Sequence, residues 1–222
     1  MILVFDTSTR TPVVALSQTD GTLVAKRHWS SNHRHGEELL QHIDELLAEA
    51  GGAKADLKGV IVGTGPGSFT GLRIGLATAK TIAYSLSIPI VGVSSTHALA
   101  VAAGRGDGEV TVTLPAGASD RYVHRIRIKD GQPKEARAPQ LVAGEEVAPE
   151  AVAVDIERAP ASALEAGMRA VAGLATALAT LGAQQIASGQ SDDVAQLVPA
   201  YVALPRGIAR AVAEMEWSPD LR

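Results

Sequence analysis

A glycine-rich run joins a strand-like stretch to a helix-like one: Gly63-Thr64-Gly65-Pro66-Gly67-Ser68-Phe69-Thr70-Gly71-Leu72-Arg73-Ile74-Gly75. Ahead of it, Val60-Ile61-Val62 is a short β-branched run typical of a buried strand. Gly65-Pro66-Gly67 makes a rigid turn, and Ser68 or Thr70 offers a side-chain oxygen to cap a helix that follows. The order is strand, turn, helix, with Gly63, Gly65, Pro66, Gly67 and Ser68 forming the loop between them.

Backbone amides at a helix N-terminus invite a phosphate, but the spacing here opposes a nucleotide loop. A Walker loop ends in Gly-Lys-Ser/Thr, whereas this chain has Gly71-Leu72-Arg73. A dinucleotide fingerprint would need its third glycine at Ser68. No acidic residue stands about twenty positions on to hold a ribose, where the chain reads Ile88-Pro89-Ile90-Val91-Gly92.

Along the helix expected over 69–86, Gly71, Gly75, Ala79 and Ala83 recur at every fourth position and form one bare ridge. A mid-helix glycine costs about 1 kcal/mol relative to alanine, so close packing must offset it. Two readings stand side by side. The helix lies tightly on its own sheet, or the ridge faces a partner protein.

With 222 residues, 46% of them hydrophobic and 20% charged, the chain suffices for one large α/β domain or two small ones. A net charge of -4 argues against a protein that grips nucleic acid unaided, since phosphate binding favours basic surfaces. Aromatic residues are only 3% of the chain, which disfavours a base-stacking platform. The absence of cysteine excludes disulfides, thiolate metal ligands and a cysteine nucleophile. No signal-peptide pattern follows Met1, and no membrane-spanning stretch is expected, which together suggest a cytoplasmic protein.

Three strands are expected first, at 2–5, 13–16 and 22–29, with Asp20-Gly21 as the hairpin turn before the third. Leu39, Leu40, Ile43, Leu46, Leu47 and Ala50 then fall at helical spacing, and Gly51-Gly52 ends that helix. A strand at 59–62, the ridge helix and a strand at 88–93 complete the first half. After a linker at 102–108, Val110, Val112 and Leu114 alternate, 122–129 is a strand, and Asp130-Gly131 is a second hairpin turn. Val152-Ala153-Val154 is a short strand, and 161–181 is an alanine-rich helix. Its apolar face is expected to be Leu164, Met168, Val171, Leu174, Leu178 and Leu181, with Gln185-Ile186-Ala187 as a last short strand. The repeated meander-then-helix order suggests an internally duplicated fold.

Phe5-Asp6-Thr7-Ser8-Thr9, His35 with Leu39-Leu40, the run from Gly63 to Gly75, Gly92-Val93-Ser94-Ser95 and Pro199-Ala200-Tyr201 together resemble the TsaB (YeaZ) family. The resemblance covers essentially the whole chain and is strongest over 1–96. It implies an α/β, actin-like and sugar-kinase-like (ASKHA) fold of two RNase-H-like domains. These would be residues 1–103, carrying the association helices, and 104–222, with the tail 199–222 packing back on the first.

It also implies a non-catalytic scaffold for a TsaD-like catalytic subunit, joined by a TsaE-like ATPase, in making threonylcarbamoyladenosine in tRNA. The tRNA would be reached only through the complex. No cofactor of its own is implied, with ATP and magnesium entering only at the partner interface. The expected partner-binding residues are His35, Leu39, Ile43 and Leu46 on one helix and Gly71, Leu72, Gly75, Ala79 and Ala83 on the other. Whether the chain forms a homodimer without its partner stays open, since both could use one patch.

Residue chemistry sets alternatives beside that reading. Asp6, Thr7 and Ser8 stand where active members of such folds hold a metal-bound phosphate, yet their turn lacks the glycines that let a phosphate approach, so they form a vestigial phosphate loop. At the corresponding hairpin of the second half, Thr113-Leu114-Pro115-Ala116-Gly117 offers no carboxylate, and the chain departs there from the Asp-Ala-Arg of relatives. His33, His35 and His42 with Glu37 and Glu38 could supply metal ligands, but no His-x-x-x-His pair exists. Ser68, His97 and Asp120 can be drawn as a triad, though no Gly-x-Ser-x-Gly elbow is present. A small ATP-dependent phosphotransferase of the same fold is the main alternative to the scaffold, and a glycoprotease-like hydrolase a weaker one.

Overall fold

A computed structural model describes residues 1–30, 35–117, 120–144 and 146–202, with the side chains of 35–37 excluded. The first half forms a five-stranded sheet in the order β3-β2-β1-β4-β5. Its strands are β1 (Ile2–Asp6), β2 (Val13–Ser17), β3 (Leu23–His28), β4 (Gly59–Gly63) and β5 (Ile90–Val93). β1 to β3 are an antiparallel meander, and β4 and β5 add in parallel through crossovers that contain α1 (His35–Glu49) and α2 (Phe69–Leu86).

The parallel strands are apolar runs because both faces are covered. Leu3, Phe5, Val60, Val62 and Ile90 point to α1 and α2, whereas Ile2, Val4, Ile61, Val91 and Val93 point the other way. On that second side lie α3 (Ser95–Ala102) and α4 (Ala161–Ala187), and beyond them a four-stranded sheet in the order β8-β7-β6-β9. Its strands are β6 (Gly108–Pro115), β7 (Asp120–Lys129), β8 (Gln132–Ala143) and β9 (Val152–Ala153). The described residues are thus layered helix, sheet, helix, sheet, a mixed α/β arrangement.

Both hairpin turns form where expected. Thr22 N donates to Asp20 Oδ1 at 2.8 Å and Gly21 has φ +89°, while Asp130 and Gly131 both take positive φ, as a two-residue primed turn requires. Ser68 caps α2 by accepting from Gly71 N at 3.2 Å.

Four expectations change. Gln185-Ile186-Ala187 is not a strand: α4 runs on to Ala187 because Ile186 continues the helix's packed face, and Gly189, at φ +76°, comes just after. The face of α4 also differs in its first half. Ala163, Ala166, Gly167 and Ala170 are buried while Met168 is 65% exposed, since a Cβ at Gly167 would strike the carbonyl oxygen of Ala153 and only small residues let the helix approach β9. α4 is also long and apolar enough, by length and composition, to cross a membrane; 50% of its apolar window is buried inside the fold, between the two sheets. Finally, α3 occupies a stretch read only as a motif and the start of a linker. It is short and buried on most sides, so no amphipathic period marks it.

Beyond α4, residues 192–201 run along the first sheet. Asp192 N donates to Ile90 O at 2.8 Å, Ala200 N to Thr64 O at 2.8 Å, and Lys80 Nζ to the carbonyls of Ala195 and Leu197 at 3.2 Å each. Pro205, Pro219 and the rest of the tail expected to pack back lie outside the described residues.

Candidate functional site

The carboxyl ends of β1, β4 and β5 are where an open α/β sheet holds a ligand, and in this chain they are closed by their own hydrogen bonds. Asp6 is fully buried and accepts from Ser8 N at 2.6 Å and from Ser95 Oγ at 2.5 Å. Ser95 Oγ in turn accepts from Gly65 N at 2.9 Å, and Ser68 N donates to Ser8 O at 2.7 Å. Thr7 Oγ1 donates to Gly71 O at 2.7 Å. The loop 6–9, the glycine run and the start of α3 are therefore one stitched cluster. Burial pushes the Asp6 carboxyl above its ordinary range, only partly opposed by the bonds from Ser8 and Ser95.

The glycines serve this closure. A Cβ at Gly63 would collide with the Asp6 carboxylate, at Gly67 with the carbonyl of Ser8, at Gly71 with the carbonyl of Thr7, and at Gly75 with the Thr7 hydroxyl. Gly65 takes φ +93° beside Pro66, which follows a cis peptide bond. Glycine here lets the chain's own β1–β2 loop approach, rather than a phosphate.

This corrects the assignment of the ridge. Gly71, Leu72, Gly75, Ala79 and Ala83 are all buried, as are Leu39, Ile43 and Leu46 of α1. They form the inner faces of their helices, spent on β1, β4 and the loop at Thr7, so they are not surface contacts. Of the expected partner-binding set, the His35 side chain lies outside the described residues.

What α1 and α2 present outward is different. Leu40 and Asp44 of α1, Thr81, Ile82, Ser85 and Leu86 of α2, and Lys54 line a groove of about 250 Å³, with the buried Ile43, Leu47 and Leu57 also in its wall. Leu40 at its rim is 53% exposed, and Tyr84 on α2 is 79% exposed. Sequence reasoning missed Tyr84 as a surface residue and Ser95 as the partner of Asp6. The only signal for Ser95 was its place in the run Gly92 to Ser95.

The remaining candidates separate. Trp29 Nε1 donates to Glu38 at 3.1 Å and its ring packs on His42 at 4.3 Å, while Arg27 pairs with Glu45 and Glu49. His33 and the side chains of His35 and Glu37 lie outside the described residues, and among those described no group of three or more His, Asp or Glu is placed to hold a metal. Ser68 caps α2, whereas His97 stacks on His124 at 5.3 Å with its Nε2 lacking a hydrogen-bond partner, so Ser68, His97 and Asp120 do not form a triad. His124 is 3% exposed and shares a 2.7 Å hydrogen bond with Thr96 Oγ1 through Nδ1. Burial, with His97 alongside, lowers its pKa to about 4.

Comparison with known proteins agrees with this architecture. The model of a family described as TsaD: tRNA N6-adenosine threonylcarbamoyltransferase matches residues 28–214. The tRNA threonylcarbamoyladenosine biosynthesis protein TsaB of Bacillus subtilis is 36% identical over 130 residues, 59% of this chain and 56% of that protein. TsaB of Escherichia coli is 37% identical over 112 residues, 50% of this chain and 47% of that protein. The chain thus spans about half the length of the curated relatives it matches. The solved structure of YeaZ from Pseudomonas aeruginosa superposes with a TM-score of 0.71 at 25% identity, covering 90% of this chain and 98% of that one. Matched by that family model over most of its length, the chain belongs to the family described as TsaD: tRNA N6-adenosine threonylcarbamoyltransferase, and it is similar to the TsaB and YeaZ proteins.

Proposed function

We propose that this chain is a non-catalytic accessory subunit in the N6-threonylcarbamoylation of tRNA adenosine. It docks on a TsaD-like catalytic subunit, to which a TsaE-like ATPase also comes, through the outward faces of α1 and α2. The observation that carries this reading is the apolar groove between those helices, rimmed by Leu40 and accompanied by the exposed Tyr84. Two helices offering leucine and isoleucine across a shallow groove suit the helix-in-groove mode of association, and a stable interface of that kind buries roughly 800 Å² per partner. The sealed cluster around Asp6 supports the non-catalytic part, because a carboxylate buried among its own backbone donors has no open position for a metal-bound phosphate. The chain works in the cytoplasm and carries no cofactor of its own.

The test is light scattering of the purified chain, alone and mixed with the TsaD-like protein of the same source, with and without ATP. A heterodimer is expected. Leu40→Glu combined with Tyr84→Glu should abolish it while leaving the thermal transition within about 0.5 kcal/mol of wild type, as for exposed substitutions generally. Absence of a complex under every condition, together with magnesium-dependent ATP binding by the isolated chain that Asp6→Ala removes, would replace the accessory subunit with a phosphotransferase.

A further inference from the structure

The outer face of the second sheet concentrates charge that neither the core nor the docking groove uses. On β7, His124, Ile126 and Ile128 are buried toward α3 and α4, and the alternating Arg125, Arg127 and Lys129 are exposed on the opposite side. The pairing with β8 sets Arg125 against Arg137 and Arg127 against Lys134, so cation stands directly opposite cation twice. Lys134 and Arg137 are exposed as well. Among the described residues the counter-charge on this face is Glu109 of β6, 3.7 Å from Arg127.

Like charges directly opposite in a sheet destabilise it. Cations on an edge strand are explained by the need to block edge-to-edge pairing, which accounts for Lys134 and Arg137 on β8. It does not account for Arg125 and Arg127, because β7 is interior to the sheet. The concentration also runs against a chain whose net charge is -4.

We infer that this face binds the phosphate backbone of RNA and, resting on the reading above, that it contacts the tRNA held by the assembled complex. Along β7 the cations repeat about every 6.8 Å, and neighbouring strands lie about 4.8 Å apart, a grid that brings several cations to one phosphodiester strand. The face carries no Phe, Trp or Tyr, since Tyr122 packs inward on the core, so its contacts are to phosphate and not to stacked bases. At physiological ionic strength charges are screened beyond about 8 Å, which lets this patch act locally despite the acidic balance elsewhere. Binding is therefore indifferent to sequence and steeply dependent on salt.

The experiment is fluorescence anisotropy of a labelled, unmodified tRNA transcript, titrated over a salt series with the chain alone and with the chain plus its TsaD-like partner. Arg125→Glu with Arg137→Glu should weaken binding at least about tenfold and flatten the slope of log K against log salt by about 1 to 2. Lys26→Glu with Lys58→Glu makes the same change in net charge on the first half and should leave the tRNA titration as in wild type. Circular dichroism confirms that both pairs fold. Equal binding by the two variants, no binding by the chain in either form, or a preference for phosphatidylserine vesicles over tRNA would each overturn the inference. Failure to form the complex would instead break the subunit reading, and the titration of the chain alone would still report on this face.

Discussion

The two sheets of this molecule are built on related plans and covered differently. The first is buried on both faces, between α1 with α2 and α3 with α4, and its strands β1, β2 and β4 are buried along their whole length. Among the described residues the second has helices on one face only, and β7 alternates buried and exposed positions. A sheet covered twice leaves no room at its strand ends once the β1–β2 loop has folded into the glycine run. A sheet covered once keeps a broad free face. The difference is that the first half has closed its strand ends, while the α1–α2 groove and the outside of the second sheet, on which the proposed contacts rest, stay open among the described residues.

The sharpest way to break this contrast is at Gly71. Gly71→Val drives a side chain into the Thr7 carbonyl, a backbone atom that cannot yield, and should cost 3 kcal/mol or more, or prevent folding, in urea unfolding. Arg125→Thr on the free face should change stability by less than about 0.5 kcal/mol in the same assay. Similar losses at the two positions would mean that the second sheet is also covered.

Acid sensitivity gives the next largest effect, and it comes from the layer between the sheets. Because His124 is held to about 4 in the folded state against an ordinary 6.5, the unfolded chain takes up its proton first as pH falls. Stability from this group is complete above about pH 6.5 and is lost progressively toward pH 4, by on the order of 2 kcal/mol. His97, lowered by burial, acts in the same direction, whereas Asp6 and Asp155, raised by burial, act with the opposite sign. Chemical denaturation at a series of pH values should show a flatter profile for His124→Gln than for wild type. An unchanged profile would show that His124 is not sealed between the sheets.

The smallest effect sharpens the account of the free face. Arg137→Glu alone turns a cation pair with Arg125 into an ion pair and should raise stability by a few tenths of a kcal/mol at low salt, with the gain vanishing at high salt. A loss instead would mean that Arg137 already has a stabilising role on this face.

Much of the fold is legible in the chain because it rests on local chemistry. Asp20-Gly21 and Asp130-Gly131 announce their turns, Ser68 its helix, and the alternation in β6 and β7 a sheet with one wet face. β8 escaped notice because it is polar and contains Pro133 and Pro139, tolerable only because it is an edge strand. The ridge Gly71, Gly75, Ala79, Ala83 was legible as a place of close approach, but not what approaches. A missing side chain records proximity without identity: the neighbour of Gly71 and Gly75 is Thr7, 64 residues earlier than Gly71, while Ala79 and Ala83 pack into the cluster with the first sheet and α1.

By itself the sequence determined the strands and helices of the first half up to β5, the position of the two hairpin turns and the presence of one tightly packed glycine-rich loop, since each depends on backbone preference and on apolar period over a few residues. Only the tertiary structure decided which side of each helix is free. Small residues are neutral until a neighbour arrives, and so Leu40 and Tyr84, not the ridge, reach the surface. Tertiary pairing alone also set Arg125 against Arg137, because register joins residues that no local pattern relates.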